Sequence, residues 1–276
     1  MHLDRHHLLA PPPNHDATWH DPRRAGSAQV PFGLVARVGS SVQSALRRLG
    51  WEVNRYPPRG SFERHLRDVL GKLDVDCVID VGAHVGEFAR MLRDVVGFTG
   101  RIASVEPGSL AFGRLTSAMA ADSAWEGFNF ALGSEERTQA LHVSMATNLN
   151  SLHRLNTYAQ DALEMHASGQ SELVSVHRLD SVFDELTVGH SRVFLKCDTQ
   201  GHDLAVIDGL GTREIVGVQV ELSFLAIYDE TPRAHEVVAT LAKSGYTPSG
   251  FFPVLRDGLC LAEADGVFLR TAHHGS

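Results

Sequence analysis

From Asp76 onward, short runs of β-branched and apolar residues alternate with stretches that repeat apolar residues every three to four positions. This alternation predicts strand–helix–strand crossovers, which place parallel strands in a doubly wound sheet with helices on both faces. Strands are predicted in DCVIDVG, GRIASVEP, FNFALGS, TQALHVS, SRVFLKCD, VGVQVELS, SGFFPVL and GVFLR. Helices are predicted in SFERHLRDVLGKL, GEFARMLRDVV, SLAFGRLTSAMA, DLAVIDGL and AHEVVATLAKSG. The last two strands have no helix between them, so we expect the sheet to end in an antiparallel strand.

Three parts of the chain differ in composition. Residues 1–30 are rich in proline, histidine and charge, and are predicted to form a disordered tail. Residues 31–60 carry an apolar stripe at helical spacing between Leu34 and Leu49, which predicts a helical cap on the protein's own core. A membrane-surface or partner helix is the alternative, less favoured because only three arginines accompany the stripe. Residues 61–272 are expected to form one large α/β domain.

Charge and cysteine content narrow the class of protein. The net charge is -8 and no basic stripe is present, which argues against a nucleic-acid partner. Cys77, Cys197 and Cys260 lack metal-ligand spacing and are predicted to be reduced thiols of a cytoplasmic protein. No apolar run has the length of a transmembrane segment, and the N-terminus lacks the pattern of a secretory signal. The sequence does not define an oligomeric state, so a homo-oligomer stays open.

The segment VIDVGAHVGEF joins a predicted strand to a predicted helix. It places Asp80 at the strand end and Gly82 and Gly86 in the turn. Glycine lets a backbone approach a ligand closely, and the free amides of a helix start favour a carboxylate or phosphate. Since any tight strand-to-helix turn favours glycine, this loop alone does not identify a ligand.

A second acid makes the glycine loop more informative. Glu106 ends the next predicted strand, where a carboxylate can accept hydrogen bonds from both hydroxyls of a ribose. A dinucleotide fingerprint would require a third glycine, and Asp80 would repel a pyrophosphate. A nucleoside with a cationic end and one carboxylate, such as S-adenosylmethionine, fits this pattern better.

A third group of polar residues follows the strand in VFLKCDTQGHDLAVIDGL. Asp198 ends the strand, His202 and Asp203 open a helix, and Glu221 ends the next strand. A structural interpretation makes Asp198 a helix cap and Asp203 a favourable first-turn acid. Against it, these side chains converge on the sheet edge that carries the glycine loop, and such a concentration predicts a catalytic cleft.

Together, VIDVGAHVGEFA, SVEP, FALGS, NLNSLH and FLKCDTQGHDLAVIDGL resemble the FkbM family of S-adenosylmethionine-dependent methyltransferases, over roughly residues 61–270. The resemblance implies a class I methyltransferase fold: a Rossmann-like, doubly wound, mostly parallel seven-stranded sheet with an antiparallel last strand. It also implies O-methylation of a hydroxyl on a sugar, glycolipid or polyketide-type natural product, with a small-molecule or glycan acceptor.

The resemblance assigns roles to individual residues. It places the methionine part of the cofactor at Asp80, Gly82, Ala83 and Gly86, the ribose at Glu106, and the adenine near Ala131 and Leu132. His84 stands where the family usually has asparagine, and Asp203 replaces a usual glutamate, which leaves the role of Asp203 open. Asn150, Ser151 and Glu221 are expected to contact the substrate, although a plain polar loop is an alternative for the first two.

Methyl transfer to oxygen requires an aligned hydroxyl and a destination for its proton. Asp198 is the first choice for the base or orienting group, and His202 is the second. Alternatively, Asp198, Asp203 and Glu221 hold a Mg²⁺ that polarises a vicinal diol. Two other classes stay in play: a nicotinamide oxidoreductase, which this loop disfavours, and a non-catalytic methyltransferase-like adaptor, which would need no acids in the cleft.

Overall fold

In the computed structural model of the protein, the described residues are 48–49, 56–144, 151–152, 167–225 and 231–271. The chain divides into two compact units, residues 1–53 and 54–276, and the fold described below is that of the second. The predicted tail over residues 1–30 and most of the predicted cap over 31–60 lie outside the described residues.

Six helices and ten strands make up the described part of the second unit. The helices are α1 (Phe62–Lys72), α2 (Glu87–Met91, continued by a π-helical turn over Leu92–Val96), α3 (Ser109–Met119), α4 (Leu179–Thr187), α5 (Asp203–Asp208) and α6 (Ala234–Lys243). The strands are β1 (Cys77–Val81), β2 (Arg101–Val105), β3 (Trp125–Phe128), β4 (Ala131–Gly133), β5 (Arg137–Ser144), β6 (Ala167–Arg178), β7 (Val193–Cys197), β8 (Gly217–Ser223), β9 (Tyr246–Asp257) and β10 (Cys260–Arg270).

The main sheet has seven strands in the order β3-β2-β1-β7-β8-β10-β9. The first five pair in parallel, whereas β10 runs antiparallel to both of its neighbours. The expected doubly wound sheet with an antiparallel last strand is therefore confirmed. The strand order reverses between β1 and β7, and the carboxyl ends of strands at such a reversal are where ligands bind in this architecture.

Two layers of helices cover this sheet. Helices α1, α2 and α3 bury Leu66, Ala89 and Leu115 on one face, and α4, α5 and α6 bury apolar residues on the other. Every residue of β1 and of β7 is buried, as expected for central parallel strands covered on both sides. Within the described ranges, no helix has both the length and the apolar character needed to cross a membrane.

A smaller three-stranded sheet, in the order β4-β6-β5, differs from the sequence-based expectation. FNFALGS was expected to form one strand. Instead, the chain leaves the main sheet after Phe128 and joins the small sheet at Ala131. Strand β6 and helix α4 were not predicted. The polar sequence of β6 forms a strand because it pairs along β5, and cross-strand pairing outweighs weak local preference.

Candidate active site

A cavity of about 830 Å³ opens at the carboxyl ends of β1, β2, β7 and β8. Its volume lies within the usual range for small-ligand sites, roughly 300 to 1,000 Å³. The predicted site residues that line it are Gly82, Ala83, Glu106, Ala131, Leu132, Ser151, Asp198, His202 and Glu221. Asp80, Gly86 and Asp203 are not on its wall. Asn150 lies outside the described residues.

The glycine loop after β1 runs in close contact with the loop after β7. Gly82 has a φ of +73°, and a Cβ built on it would lie 1.9 Å from the backbone oxygen of Asp198. Gly86, with a φ of +89°, starts helix α2 against Leu115. A side chain on Gly82 would push the two loops apart, whereas Gly86 is favoured by its positive φ and by its close packing against Leu115.

Glu106 follows β2 and is held by one backbone amide of the glycine loop and one of its own loop. Its Oε2 accepts a hydrogen bond from the His84 N–H at 2.9 Å, and its Oε1 accepts one from the Gly108 N–H at 2.8 Å. Burial raises the pKa of Glu106, and the two amide hydrogen bonds oppose that rise. Each carboxylate oxygen can accept a further hydrogen bond, so this side chain can receive two ligand hydroxyls.

Asp80 lies beneath the cavity, where it pairs with a buried lysine. Lys196 Nζ is 3.0 Å from Asp80 Oδ1 and donates to the Gly82 carbonyl oxygen at 3.0 Å, while Ser104 Oγ donates to Asp80 Oδ2 at 3.2 Å. Burial alone would lower the pKa of Lys196, but the carboxylates of Asp80 and Asp198 raise it above its usual value. The lysine therefore stays charged and fastens the glycine loop from below.

Sequence reasoning missed Lys196, although a charge within the apolar run VFLKC was a visible signal. Asp80, expected to contact the cofactor, has a fully buried carboxylate that contacts Lys196 beneath the cavity wall. Burying a lone charge is costly, so an acid and a base in register on β1 and β7 stabilise each other.

Asp198 and Asp203 are close in sequence, but their side chains differ in burial and in hydrogen-bond partners. Asp198 has a side chain that is 40% exposed, and its Oδ1 accepts a hydrogen bond from Gln200 Nε2 at 2.9 Å. Asp203 is buried: its Oδ1 accepts from the backbone N–H and the hydroxyl of Thr199, and its Oδ2 accepts from the Glu221 N–H at 3.1 Å. Asp203 therefore ties the loop after β7 to β8, and Asp198 faces the cavity.

The structure does not support the magnesium alternative. Among the described residues, no group of three or more histidine, cysteine, aspartate or glutamate side chains is arranged to hold a metal ion. Asp203 uses both of its carboxylate oxygens for donors within the protein and is absent from the cavity wall, so it does not join Asp198 and Glu221 as a ligand.

His202 and Ser151 lie on the cavity wall and are both buried. The His202 ring lies close to Gly133, where an added Cβ would come within 3.0 Å of Nε2. Ser151 Oγ donates to the Gln200 carbonyl oxygen at 2.7 Å, and its backbone forms a bridge with His142. The segment that carries Ser151 is thereby joined to the loop that carries Asp198.

Three further polar residues line the cavity beside Glu221: Gln219 on β8, and Glu263 and Asp265 on β10. Burial and then the negative charge of Asp198 raise the pKa of Glu263 to about 7 and that of Asp265 to about 6; the pKa of Glu221 is raised by the same causes.

Sequence reasoning missed the two β10 acids because it treated LCLAEAD as a connection. Their alternation with alanine was the available signal, since alternate residues of a strand share a face.

Comparisons with known proteins show what the chain is similar to. The model of the methyltransferase FkbM domain matches residues 80–248. No curated protein sequence matches the chain. The FkbM methyltransferase of Methylobacillus flagellatus KT is similar in structure, with a TM-score of 0.43 and 14% identity over 70% of this chain. This chain spans only 44% of the length of that protein.

Two further solved structures are similar at low identity. An rRNA methylase from Streptococcus thermophilus has a TM-score of 0.45 and 11% identity, covering 79% of this chain and all of its own. Magnesium protoporphyrin IX methyltransferase from Synechocystis PCC 6803, with bound S-adenosylmethionine, has a TM-score of 0.39 and 10% identity, covering 89% of this chain and all of its own. Because the FkbM domain model matches more than half of the sequence, the chain belongs to the FkbM family of S-adenosylmethionine-dependent methyltransferases.

Proposed function

We propose that the protein transfers a methyl group from S-adenosylmethionine to a hydroxyl oxygen of a sugar, glycolipid or polyketide-type acceptor. The observation that carries this proposal is that the glycine loop, Glu106 and Asp198 line a common cavity. A small-molecule or glycan acceptor suits the cavity and the net charge of -8, which disfavours nucleic acid.

The residues of the cavity fit the cofactor. Glu106, oriented by two backbone amides, accepts hydrogen bonds from the ribose hydroxyls. Gly82 and Ala83 lie along the methionine part, and Ala131 and Leu132 lie beside the adenine. Bound S-adenosylmethionine supplies a methyl carbon activated by its sulfonium.

Two of the expected cofactor residues act on this site indirectly in the proposal. Asp80 acts through Lys196, which binds the carbonyl oxygen of the glycine loop. Gly86 acts as the residue that precedes helix α2, where its own backbone adopts a left-handed conformation.

On the acceptor side, Asp198 would accept a hydrogen bond from the hydroxyl that is to be methylated and take its proton, while the sulfur–methyl bond of the cofactor would be exchanged for the new oxygen–methyl bond and S-adenosylhomocysteine would leave. Gln200 orients Asp198 through the hydrogen bond to Oδ1, and the part-exposed carboxylate reaches the cavity. His202 is the second candidate for this role, while Ser151 and Glu221 contact the acceptor. A non-catalytic adaptor would have no need for these acids, so their presence favours the enzyme.

The proposal extends to location and domain organisation. We place the protein in the cytoplasm, because Cys77 and Cys197 are buried free thiols in central strands. Residues 61–272 form the catalytic domain in this proposal, with 31–60 as a helical cap.

Replacing the proposed base tests this function. Asp198→Asn keeps the shape of the side chain and removes the basic oxygen, so we expect turnover to fall by roughly 10²- to 10⁴-fold with little change in cofactor affinity. The measurement is transfer of labelled methyl from S-adenosylmethionine to small-molecule and glycolipid extracts of the source organism, together with calorimetry of cofactor binding. Asp208→Asn, on the exposed side of α5, is the matched control. Full turnover in Asp198→Asn would identify Asp198 as a structural residue of the loop.

A further inference from the structure

The acceptor side of the cavity is bounded by three carboxyl groups, Glu221, Glu263 and Asp265, here called the carboxylate wall. Asp265 lies directly opposite Glu221 in the antiparallel pairing of β8 with β10. Glu263 lies two residues before Asp265 on β10 and therefore on the same face of the sheet. All three line the cavity, so their side chains face a common space.

Gln219 shows which kind of group a ligand has to bring into this space. The side chain is 3% exposed, and its Nε2 donates to Asp265 Oδ1 at 3.2 Å. That hydrogen bond sets the orientation of the amide, since only the nitrogen end can donate to a carboxylate. The other end, Oε1, is buried and has no hydrogen-bond donor among the residues that the structure describes. A ligand that fills the space next to Gln219 therefore has to bring a donor.

The charge of the surroundings points the same way. Within the described lining of the cavity, Lys196 is the one lysine and there is no arginine. Its ammonium is already engaged by Asp80 and by the Gly82 carbonyl oxygen. A neutral alcohol would leave neighbouring carboxyl groups facing one another, whereas an ammonium group has three donors and an opposing charge.

We propose that the acceptor of this enzyme is an amino alcohol, whose protonated amine is bound by Gln219, Glu263 and Asp265 while Asp198 orients the hydroxyl that receives the methyl group. Amino sugars are one class of such acceptors. This inference rests on the proposed function, because it names the acceptor class of the same cavity.

The cofactor also carries an ammonium, so the two binding regions have to be separated. The glycine loop and Glu106 follow β1 and β2, whereas Asp265 lies on β10, three strands from β1. At the spacing of neighbouring strands, three steps amount to about 14 Å. Glu263 and Asp265 therefore lie toward the acceptor end of the cavity, away from the glycine loop that takes the methionine part of the cofactor in the proposed function.

Matched probes that differ in the amine provide the test. Binding of D-glucosamine, D-glucose and N-acetyl-D-glucosamine, and of 2-aminocyclohexanol and 1,2-cyclohexanediol, is measured by calorimetry on the full chain saturated with S-adenosylhomocysteine. We expect each amine to bind about ten- to a hundredfold more tightly than its neutral partners, as a charge-assisted hydrogen bond would give. We expect the double variant Glu263→Gln/Asp265→Asn to lose that preference. Glu185→Gln, an exposed acid on α4, is the matched control and should retain it.

Three results would overturn the inference: no amine preference in either set of probes, a preference that survives in the double variant, or a double variant that loses S-adenosylhomocysteine affinity. The last result would assign the wall to the cofactor. Cofactor binding is measured separately, so failure of the proposed function, seen as no S-adenosylmethionine binding, is distinguishable from failure of the acceptor assignment.

Discussion

The two ends of the cavity both contain buried carboxyl groups, but they are built differently. At the β2 end, Glu106 is a single acid whose two oxygens accept hydrogen bonds from backbone amides. These hydrogen bonds oppose the rise in its pKa that burial causes. At the β10 end, Glu263 and Asp265 face other acids, and repulsion adds to burial. The first arrangement is prepared for ligand hydroxyls, and the second favours a ligand that brings positive charge.

The topology explains this difference. Strand β2 runs toward the ligand edge and contributes one acid to the cavity, Glu106, which directly follows its carboxyl end. Strand β10 runs the other way, and residues near its start reach the same edge in alternation, so Glu263 and Asp265 both enter the cavity. Together with Glu221 of the neighbouring strand β8, they form the carboxylate wall.

The largest expected effect is on stability and comes from breaking the ion pair between Asp80 and Lys196, which lies beneath the cavity. Lys196→Met leaves Asp80 buried without its cation, and we expect a loss of about 3 to 5 kcal/mol in the free energy of unfolding. Urea denaturation measures it. The double variant Asp80→Asn/Lys196→Met should recover part of that loss, because the uncompensated charge is gone. Lys72→Met, at the exposed end of α1, is the control. A Lys196→Met protein as stable as the parent would show that the ion pair does not hold the loop.

An intermediate effect is expected at the β2 end. Glu106→Gln places an N–H against one of two backbone donors and removes the charge, so S-adenosylmethionine should bind about 1 to 3 kcal/mol more weakly. Amine probes of the other end should bind as before, which separates the two regions. Calorimetry with Glu87→Gln, on the more exposed rim, serves as the comparison. Unchanged cofactor affinity in a folded Glu106→Gln protein would remove Glu106 from the ribose site.

The smallest effect is expected at the β10 end and depends on pH. Folding raises the pKa of Asp265 from 3.8 to about 6, so ionisation disfavours the folded state. The penalty is absent below about pH 4, grows up to about pH 6 and is complete above it. Asp265→Asn keeps the acceptor for Gln219, and it should raise the free energy of unfolding by about 1 to 2 kcal/mol at pH 8 and by almost nothing at pH 4. Denaturation curves at the two pH values measure this, and an equal gain at both would contradict the assignment.

Much of the architecture was predictable because its signals are local. The apolar runs of β1 and β7, each followed by a polar turn, identified the central strands. The position of Glu106, directly after the apolar run of β2, indicated a residue at the ligand edge. The same reasoning failed where pairing with a distant segment decides the structure. FNFALGS has the composition of one strand but is shared between two sheets, and β6 is a strand because β5 lies beside it.

The identity and order of the residues determined the strand and helix pattern, the glycine turn and the family, because these depend on side-chain period and on backbone geometry over a few positions. The partners of the buried charges depended on the folded chain. Nothing near Asp80 in the sequence indicates that it faces Lys196, and nothing near Glu263 indicates that it shares a wall with Glu221. The energy of a buried carboxyl group depends on the charges and donors within a few ångströms, and only the packing of distant strands places those groups there.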